Sequence, residues 1–566
     1  MPPEGSSSPP GPNADSSESL TDSEAPSSSE PADSEAPSSS ELLTEAPGSG
    51  TASLAELTEL LADLEPRLTG SSEVRVSGIT QDSRRVLPGD LFVAREGLRQ
   101  SGLAHVADAA ARGAAGVLTD ARGALSLPLP VLQVSHARLA LGRVAEQLLG
   151  WPSRQLPLVG ITGTNGKTTT AWLCQRAFEE AGVRTARLGT LGFSLGDELT
   201  PSPLTTPEGD QVSHYLARAL KSGARAFVME ASSHALEQRR IDALTFRVGV
   251  FTNLSQDHLD YHPTLAAYAE AKERLFFELS PELGVIHVGD AHGAGLAARL
   301  RSAGRQVLTV GRAEGADIRL VSSRVTARGT EGVLTVLGES HPLVTPLVGE
   351  HNLENLLCTL GVSVGLARCV RPGELAPELA QLLEALRLVG SAPGRLERCD
   401  GPEDDVTVLV DYAHTPDALR RVLVAARGLL NEAGGSGQLT CVFGCGGDRD
   451  PMKRPLMGEV VARAADRAIV TNDNPRSESP QAIADMILPG FEAHAMRPEV
   501  ILDRALAITT ALREAAPGDV VLIAGKGHEP YQLIGDQVLS FDDRAEARAA
   551  LAERRARRQA SSKDAP

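Results

Sequence analysis

The sequence predicts an α/β protein built from about three domains, and two observations support this prediction. The chain has 566 residues, whereas a single hydrophobic core rarely grows beyond about 250–300 residues before the chain divides into domains. From about residue 53 onward, short apolar runs alternate with amphipathic or alanine-rich helical stretches. Strands that alternate with helices are typical of parallel sheets covered by helices on both faces.

The negative charge of the chain is concentrated at its beginning. Of the formal net charge of −18, residues 1–50 contribute 10 Asp and Glu and no Lys or Arg, which leaves 63 acidic and 55 basic residues, a net charge of −8, for the rest. An acidic surface repels phosphate backbones, so we expect no nucleic-acid partner. Residues 1–51 have too few large apolar side chains to offset the entropy lost on ordering, and we predict a disordered tail there.

Cysteine spacing and hydropathy indicate in which cellular compartment the protein is expected. The six cysteines lack the regular spacing of a disulfide framework, which favours a reducing, cytoplasmic location. For Cys441 and Cys445, four residues apart, small buried side chains are the stronger interpretation and a zinc site the weaker one. The sequence has neither an uncharged apolar run of about 18 residues nor a signal-peptide pattern, so neither membrane insertion nor export is expected.

Changes in pattern divide the chain into five predicted segments. The helix SLAELTELLADLEPRL and strand-like runs such as GDLFVA predict a small α/β domain. A second block opens with LPLVGITGTNGKTTTAWLCQ, and a third contains the strand candidates VTVLVDYA, LTCVFGCGG, RAIVTND and DVVLIAGKG. The basic end of the chain suggests a fraying helix followed by a tail. The predicted segments are 1–51, 52–152, 153–391, 392–552 and 553–566.

The strongest chemical motif is GTNGKTT at 163–169, where an apolar strand meets a helix. Such a turn points backbone N–H groups and a helix N-terminus at phosphates. Lys167 is then expected at the β- and γ-phosphates and Thr168 at Mg²⁺. Because Ile161 occupies the first glycine position of the strict GxxxxGK[ST] pattern, a simple tight turn remains the alternative. The expected ATP contacts in this loop are Gly163, Thr164, Asn165, Gly166, Lys167, Thr168 and Thr169.

The motifs MEASSHAL, TNLSQDHLDYH and YAEAKERLFF follow in order, and with the loop they resemble the central ATPase domain of the Mur ligases. The resemblance implies that Thr168 and Glu230 hold one Mg²⁺ and that His258 holds a second. It also implies that Lys272 is carbamylated, giving N6-carboxylysine, whose carboxylate helps to organise the metal ions. Lys167, Lys272 and His258 are thus expected to be catalytic. Without the flanking motifs, Lys272 would be interpreted as a solvated helix lysine.

The third block resembles the C-terminal domain of the same family, a Rossmann-like domain that closes over ATP and carries the incoming amino acid. The resemblance is carried by SAPGRLER, VDYAHTPDAL and VFGCGGDRDPMKRPLM. It implies that Asp411, Tyr412 and His414 lie near the nucleotide, with Asp411 and His414 as ATP contacts. A strand end with a capped turn is the plainer interpretation of this segment, and the two are compatible.

The segment ITQDSRRVLPGDLFVAREG resembles the UDP-binding domain of the family member that acts third in its series. Where that member usually has Asp-Gly-His, this chain has Ser101, Gly102 and Leu103, which weakens the local match. The motifs LTTPEG and ASSHALEQRR resemble contacts to a muramoyl dipeptide. The implied contacts to the UDP-linked substrate are Ser83, Leu98, Arg99, Gln100, Thr205, Thr206, Ser232, Gln238 and Arg240.

The motif TNDNPRSESP contains a tetrad, Asp473, Asn474, Pro475 and Arg476, that resembles the family's signature for meso-diaminopimelate. Diaminopimelate differs from lysine by a second carboxylate, and a guanidinium binds a carboxylate through two parallel hydrogen bonds. Arg476 is therefore the expected contact, unless DNPR is only a proline turn with its arginine in solvent. The resemblance adds three further contacts, of which the last faces an ammonium group: Arg449, Gly525 and Glu529.

The resemblance covers about residues 53 to 550 and implies the activity. We expect an ATP- and Mg²⁺-dependent ligase that joins meso-2,6-diaminopimelate to UDP-N-acetylmuramoyl-L-alanyl-D-glutamate through an acyl phosphate, in peptidoglycan synthesis and hence in cell-wall biogenesis, cell shape and cell division. A cytoplasmic monomer is expected. The same reaction with L-lysine or L-ornithine is an alternative. More remote alternatives are a ligase like folylpolyglutamate synthase, disfavoured by DSRRVLPGDLFVA, and a non-catalytic nucleotide-binding relative, disfavoured by Glu230, His258 and Lys272.

Overall fold

A computed structural model describes residues 50–96, 101–255, 261–326, 329–369, 371, 374, 376–432 and 437–563. These residues form three successive α/β parts, each with its own main sheet. Residues 1–49 of the predicted tail lie outside the described residues. Within the described ranges, no helix combines the length and apolar character needed to cross a membrane.

The N-terminal domain is a small α/β unit. Leu57 and Leu141 are among the helical side chains in the core of this domain. Its first helix begins after Ser53 because the Ser53 hydroxyl accepts from the Glu56 N–H and the Glu56 carboxylate accepts from the Ser53 N–H, a reciprocal cap. The elements are β1 (Ala52–Ser53), α1 (Leu54–Leu60), β2 (Arg67–Thr69), β3 (Arg75–Val76), β4 (Gly78–Thr80), β5 (Asp90–Ala94), α2 (Val106–Ala111), β6 (Gly116–Thr119), β7 (Val131–Gln133) and α3 (Ala137–Leu148). Five of its described strands form a mostly parallel sheet in the order β2-β7-β6-β5-β4, and β1 pairs with β3 in a separate two-stranded sheet.

The central domain is larger and is organised around one long sheet. The elements are α4 (Pro152–Gln155), β8 (Leu158–Thr162), α5 (Lys167–Glu180), β9 (Thr185–Gly189), β10 (Gly192–Leu195), β11 (Glu198–Thr200), α6 (Gly209–Lys221), β12 (Ala226–Glu230), α7 (Ser233–Glu237), β13 (Val248–Phe251), α8 (Leu265–Phe277), β14 (Leu283–His287), α9 (Ala291–Ser302), β15 (Val307–Gly311), β16 (Ile318–Thr326), β17 (Gly329–Val336), β18 (Glu339–Thr345), α10 (Glu350–Arg368) and α11 (Leu379–Ala385).

The order of strands in this sheet sets the position of the candidate site. Counting described residues only, eleven strands lie in the order β11-β10-β9-β12-β8-β13-β14-β15-β16-β17-β18. β12, β8 and β13 are adjacent and parallel, so their carboxyl ends meet at one edge. Alternate residues of β8 belong to the cores on opposite faces, Val159 and Ile161 to one and Leu158 to the other. The buried parallel sheet expected from the alternating pattern is confirmed for the central strands, from β9 to β16 in this order. The strands at its two ends, β10 and β11 and also β17 and β18, are antiparallel.

The C-terminal domain repeats the α/β arrangement. Its elements are β19 (Glu397–Arg398), β20 (Thr407–Asp411), α12 (Pro416–Glu432), β21 (Leu439–Phe443), α13 (Lys453–Ala464), β22 (Arg467–Val470), α14 (Pro480–Ile487), β23 (Glu499–Val500), α15 (Arg504–Glu514), β24 (Val520–Ala524), β25 (Tyr531–Ile534), β26 (Gln537–Ser540) and α16 (Asp543–Lys563). In the described part, six strands lie in the order β19-β20-β24-β21-β22-β23. The four predicted strands are β20, β21, β22 and β24. Cys441 and Cys445 are buried in this domain's core.

The end of the chain departs from the sequence-based expectation. The sequence predicts a fraying basic helix at this end, with a tail from residue 553, but α16 continues to Lys563. Arg554 pairs with Asp405 at 2.8 Å and donates to the carbonyls that end α15, while Arg555 pairs with Asp404 at 2.7 Å. The predicted boundary at 552 is therefore wrong, because acidic partners about 150 residues away hold the helix to the domain.

Candidate active site

The loop between β8 and α5 has the geometry of a phosphate cradle. Gly163 and Gly166 have φ of 144° and 89°, values that favour glycine. A Cβ at Gly163 would collide with the Thr252 hydroxyl, and one at Gly166 with the Asn355 amide. Lys167 begins α5, and its Nζ donates to the carbonyls of Gly163 and Thr164, each at 2.9 Å. The backbone N–H groups at this helix N-terminus are therefore available to an anion.

Residues after β13 support this loop from the side. The Thr252 hydroxyl donates to the Asn165 carbonyl at 2.6 Å, and the Asn253 side-chain oxygen accepts from the Asn165 N–H at 3.0 Å. The Thr164 N–H donates to the Asn253 carbonyl at 2.9 Å. The first two residues of the motif TNLSQDHLDYH therefore support the loop through hydrogen bonds. His258, the predicted ligand of a second Mg²⁺, lies outside the described residues.

Thr168 and Glu230, two of the predicted Mg²⁺ ligands, are in contact; the others are His258 and the carbamate of Lys272. The Thr168 hydroxyl donates to Oε2 of the fully buried Glu230 at 3.0 Å. The Thr190 N–H donates to Oε1 of the same carboxylate at 2.7 Å. A carboxylate and a hydroxyl are the hard oxygen ligands that Mg²⁺ prefers, so this pair fits the expected ion. Among the described residues, no group of three or more His, Cys, Asp and Glu could hold a metal.

Lys272 on α8 reaches the same loop. Its side chain is buried, with 1% of the residue surface exposed. Nζ donates to the Gly163 carbonyl at 3.0 Å and lies 3.8 Å from the ring centroid of Tyr268. The alternative of a solvated helix lysine is therefore wrong. Lys167 and Lys272, two of the three residues expected to be catalytic, both donate to Gly163.

A cavity of about 90 Å³ joins the loop to the C-terminal domain. Asp411 lines it, while His414 lies three residues further along the chain and is not part of the lining. The Asp411 carboxylate accepts from the N–H groups of Leu396 and Ala413, both at 2.7 Å, which is the expected capped strand end. Burial raises the pKa of Asp411 to about 6, against the lowering effect of Arg395. Burial also lowers the pKa of His414.

The predicted muramoyl-dipeptide contacts surround the end of β12. The Thr206 hydroxyl donates to the Glu230 carbonyl at 2.8 Å and accepts from the Ser232 N–H at 3.1 Å. The Thr205 and Thr190 hydroxyls lie 3.2 Å apart. Thr205, Thr206 and Ser232 therefore form one patch with the carboxylate of Glu230.

Gln238 and Arg240 extend this patch. Arg240 donates to the Thr206 carbonyl and to Oε1 of Gln238, both at 2.8 Å. Ser83 lies in the N-terminal domain at the start of a one-turn helix capped by Asp82. Among described residues, the Ser83 side chain makes no hydrogen bond to this patch. The other predicted uridine contacts, Leu98, Arg99 and Gln100, lie outside the described residues.

The predicted amino-acid contacts gather at the carboxyl ends of β21, β22 and β24. The Asn474 amide donates to Oε2 of Glu529 at 2.8 Å. Gly525 has φ of 120°, and a Cβ there would collide with the Asp473 carboxylate. Arg449 is exposed and donates to its neighbour's carbonyl at 3.3 Å. Together with Pro475 and Arg476, these residues come from three loops that converge at one sheet edge.

Arg476 has an unusual backbone conformation. Its φ is 52°, which few residues other than glycine adopt. The Arg476 N–H donates to the Leu533 carbonyl at 3.1 Å, and its carbonyl accepts from the Gly535 N–H at 2.8 Å, so the β25–β26 hairpin holds it. Its guanidinium donates to the Gly447 carbonyl at 2.7 Å. Arg476 is partly buried and bonded, so the alternative of a turn with its arginine free in solvent is wrong.

Comparison with known proteins identifies the family. Three family models match successive parts of the chain: the Mur ligase family catalytic domain at 75–148, the Mur ligase middle domain at 161–363, and the Mur ligase glutamate ligase domain at 394–527. A protein of Gloeobacter violaceus, named UDP-N-acetylmuramoyl-L-alanyl-D-glutamate--2,6-diaminopimelate ligase, is 42% identical over 507 residues, covering 88% of this chain and 99% of its own. The chain belongs to the Mur ligase family.

Further relatives agree with this assignment. A protein of the same name from Xanthomonas campestris pv. campestris is 41% identical, covering 87% of this chain and 97% of its own. A solved structure of a ligase of that name superimposes with a TM-score of 0.65 at 32% identity, covering 89% of this chain and 99% of that one. The three-domain α/β architecture and the amide-bond-forming Mur ligase activity expected from the sequence are thereby confirmed.

The structure of this Mur ligase adds cavity residues that the sequence analysis missed. Asn355 on α10 is buried, and its side-chain oxygen accepts from the Thr170 hydroxyl at 3.3 Å. Burial and the nearby Arg421 lower the pKa of His351 to about 4. The signal was the polar run HNLEN at the start of an otherwise apolar, buried helix. The missed lining residues include His351, Asn352, Glu354, Asn355, Arg395 and Arg421.

A second group missed by the sequence analysis lies between the N-terminal and central domains. The Glu208 carboxylate lies 3.1 Å from the guanidinium of Arg138, 3.6 Å from that of Arg95 and 3.7 Å from that of Arg240. Arg95 and Arg138 belong to the N-terminal domain, so the cluster spans both domains. Its signal was weak, because the arginines lie far apart in sequence, although Arg95, Glu208 and Arg240 each stand in a recognised motif.

Lys526 is the third group missed, although it stands inside the motif AGKGHE, of which only Gly525 and Glu529 were named. Its side chain is fully buried and donates to the Asn474 side-chain oxygen at 3.0 Å. Burial raises the pKa of Glu529, and the nearby Lys526 opposes that shift. A buried cation therefore lies between two of the predicted amino-acid contacts of this Mur ligase.

Proposed function

We propose that this protein is the ligase that adds meso-2,6-diaminopimelate to UDP-N-acetylmuramoyl-L-alanyl-D-glutamate with hydrolysis of ATP to ADP. The observation that carries the proposal is the convergence of Asn474, Arg476 and Glu529 at one sheet edge, with groups suited to both charges of a diamino diacid, in a chain that also has an ATPase-type phosphate loop. The full-length likeness to relatives that carry this name supports it.

In the first step, an oxygen of the D-glutamate γ-carboxylate attacks the γ-phosphorus of ATP, and the bond to ADP breaks. The N–H groups at the N-terminus of α5 and the Lys167 side chain are proposed to hold the phosphates. Asp411 and His414 are proposed to contact the rest of the nucleotide. Thr168, Glu230 and His258 would hold Mg²⁺, which when bound neutralises charge on the transferring phosphoryl group.

In the second step, the amine of the diamino acid attacks the acyl carbon. A C–N bond forms, phosphate leaves, and the amine's proton is released. Phosphorylation matters because a bare carboxylate oxygen is a poor leaving group. The residues of the chain contribute by position and charge, and no protein nucleophile is needed. Closure of the C-terminal domain over the loop keeps water from the acyl phosphate.

Carbamylation of Lys272 is part of the proposal. Addition of CO₂ to the neutral amine forms an N–C bond and releases one proton, leaving a carbamate anion on a long stem. Its position supports this role, because Nζ lies 3.0 Å from the carbonyl of Gly163 in the phosphate loop. A carbamate there would bring negative charge to the Mg²⁺ site, which its neutral precursor cannot do.

The two substrates are assigned to separate surfaces. Ser83, Leu98, Arg99 and Gln100 are proposed to bind the uridine nucleotide. Thr205, Thr206, Ser232, Gln238 and Arg240 are proposed to bind the muramoyl dipeptide, near the carboxylate that is phosphorylated. The amino acid is assigned to Arg449, the tetrad at 473–476, Gly525 and Glu529, with Arg476 on the distal carboxylate and Glu529 on an ammonium group.

The proposal also assigns a role to each domain, and a location and an oligomeric state to the protein. We assign residues 52–152 to UDP-substrate binding, 153–391 to ATP chemistry, and the part after 392, including α16, to amino-acid binding. A cytoplasmic monomer that takes part in cell-wall biogenesis, and through it in cell shape and the cell cycle, completes the assignment. L-Lysine or L-ornithine as the added amino acid is the alternative that the experiment must separate.

The deciding experiment measures ADP release with the UDP-dipeptide, Mg²⁺ and a panel of meso-diaminopimelate, L-lysine and L-ornithine. We expect release to require the UDP-dipeptide and to be fastest with diaminopimelate. Release that depends on a folate substrate instead would favour the folylpolyglutamate synthase alternative. Nucleotide binding without release under any condition would favour a non-catalytic relative.

A further inference from the structure

Lys526 is a fully buried cation in the proposed amino-acid pocket. It follows β24, and its side chain is 0% exposed. Nζ donates to Oδ1 of Asn474 at 3.0 Å and lies 3.4 Å from Oε2 of Glu529. Moving an ammonium group out of water costs several kcal/mol unless charged and polar partners compensate it. The two partners of Lys526 are both predicted contacts of the incoming amino acid.

Lys526 and the backbone N–H of Leu533 together determine which end of the Asn474 amide faces Glu529. Oδ1 of Asn474 accepts from Nζ of Lys526 and from the Leu533 N–H, both at 3.0 Å. Both of these groups can only donate, so the oxygen must point towards them. The amide nitrogen is thereby turned to Oε2 of Glu529, at 2.8 Å. That nitrogen has two N–H donors, and Glu529 uses one.

Lys526 also favours the charged form of Glu529, from whose Oε2 its Nζ lies 3.4 Å away. Burial raises the pKa of Glu529, Lys526 lowers it through its charge and its hydrogen bond, and Asp473 raises it. A buried carboxylate without a neighbouring cation tends to remain protonated at neutral pH. The charged or titratable groups that face Glu529 come from five parts of the domain: Lys526 after β24, Asp473 after β22, Arg504 on α15, Tyr412 after β20 and Tyr531 on β25.

We propose that Lys526 is a positioning residue for the incoming diamino acid. It favours the carboxylate form of Glu529, which receives a substrate ammonium, and together with the Leu533 N–H it orients Asn474 so that an amide N–H is presented to a substrate carboxylate. This inference rests on the proposed function, because it requires a diamino acid bound between these two side chains.

The first test compares Lys526→Met with the wild type. The expected result is a KM for diaminopimelate raised by about tenfold or more, with the KM values for ATP and the UDP-dipeptide within about twofold. Loss of the cation raises the pKa of Glu529, so the acid limb of kcat/KM for diaminopimelate should move to higher pH by about one unit. A purely structural lysine would lower the melting temperature and leave that limb in place.

Lys526→Gln separates the two roles. Its amide can still donate to Oδ1 of Asn474 but carries no charge. We expect it to shift the acid limb as Lys526→Met does, with a smaller rise in the KM for diaminopimelate. If Lys526→Met does not fold, Lys526→Gln alone carries the test, and an unmoved acid limb in it overturns the proposal.

Arg247→Met is the matched control for loss of a buried cation. Arg247 is 3% exposed, pairs with Glu282 at 2.6 Å and Glu374 at 2.7 Å, and belongs to the central domain away from the amino-acid pocket. Its replacement should lower the melting temperature and leave both the KM for diaminopimelate and the acid limb unchanged. Equal changes in Arg247→Met and Lys526→Met would mean that Lys526 is only structural.

A partial reaction separates failure of this inference from failure of the proposed function. Acyl-phosphate formation from ATP and the UDP-dipeptide, followed by positional isotope exchange in ATP without any amino acid, does not need the pocket. Wild type and Lys526→Met should exchange at similar rates. No exchange in wild type contradicts the proposed function. Exchange in both, with normal KM and acid limb in Lys526→Met, contradicts the role of Lys526 alone.

Discussion

The Thr168 hydroxyl donates to Oε2 of Glu230 across 3.0 Å and so connects the first turn of α5 to the end of β12. The carbonyl of Glu230 in turn accepts from the Thr206 hydroxyl at 2.8 Å. One buried acidic residue therefore contacts a predicted nucleotide-loop residue through its side chain and a predicted dipeptide contact through its backbone. This arrangement brings the predicted nucleotide loop and a predicted dipeptide contact beside each other.

Glu230→Gln should reduce kcat by about 10²-fold or more, because the amide keeps the shape of the side chain but loses the charge that would face Mg²⁺. ADP release measured over a Mg²⁺ titration should also require a higher Mg²⁺ concentration. Glu331→Gln, at a surface ion pair on β17, is the control and should behave as wild type. Normal turnover of Glu230→Gln would remove Glu230 from the metal site.

Lys272→Ala should nearly abolish turnover, and bicarbonate should not restore it, since alanine has no amine to carbamylate. A short carboxylic acid added to the assay is expected to rescue part of the rate by supplying the missing carboxylate. Lys221→Ala, at the exposed end of α6, is the control. The carbamate assignment fails if Lys272→Ala turns over at close to the wild-type rate.

Arg476→Ala should lower kcat/KM for meso-diaminopimelate by roughly 10–100-fold. The reason is the loss of two charge-assisted hydrogen bonds to the distal carboxylate of the substrate. The small residual activity with L-lysine or L-ornithine should change little, because they lack that carboxylate. Arg463→Ala, at an exposed ion pair on α13, provides the control. A wild-type preference for lysine or ornithine would contradict the assignment of the amino acid.

Deletion of residues 1–50 should leave the ligase activity intact. The segment has the composition of a disordered tail and contains none of the matched motifs. Steady-state kinetics of the shortened protein, with circular dichroism to establish folding, is the measurement. A folded but much less active product would show that the tail contributes to catalysis.

Arg504→Met should lower the free energy of unfolding by about 3–5 kcal/mol, because it leaves the buried Asp543 without its partner. The pair is fully buried at 2.7 Å, and Arg504 also donates to the carbonyls of Asn472 and Ala524. Arg513→Met, at an exposed pair on the same helix, should cost about 1 kcal/mol or less. Urea denaturation of the three proteins tests this, and equal losses in both variants would refute it.

Much of the site could be predicted because its motifs are local. The glycines and Lys167 of the nucleotide loop stand within seven residues, at a junction that apolar runs on either side mark. A residue whose role depends on neighbours far away in the sequence could not be assigned with the same certainty from its own segment. Lys272 could not be distinguished from a solvated helix lysine by its helix alone, and its burial emerges only when α8 packs against the phosphate loop.

The sequence by itself determined the α/β order of the chain, the position of the phosphate loop and the family. Each of these follows from short segments whose pattern can be interpreted without knowledge of the remaining chain. The tertiary structure alone decided which remote groups meet. It set Lys526 between Asn474 and Glu529, and it anchored α16 through Arg554 to Asp405. Such pairs form between segments far apart along the chain, and their burial and charge balance depend on how the whole domain packs.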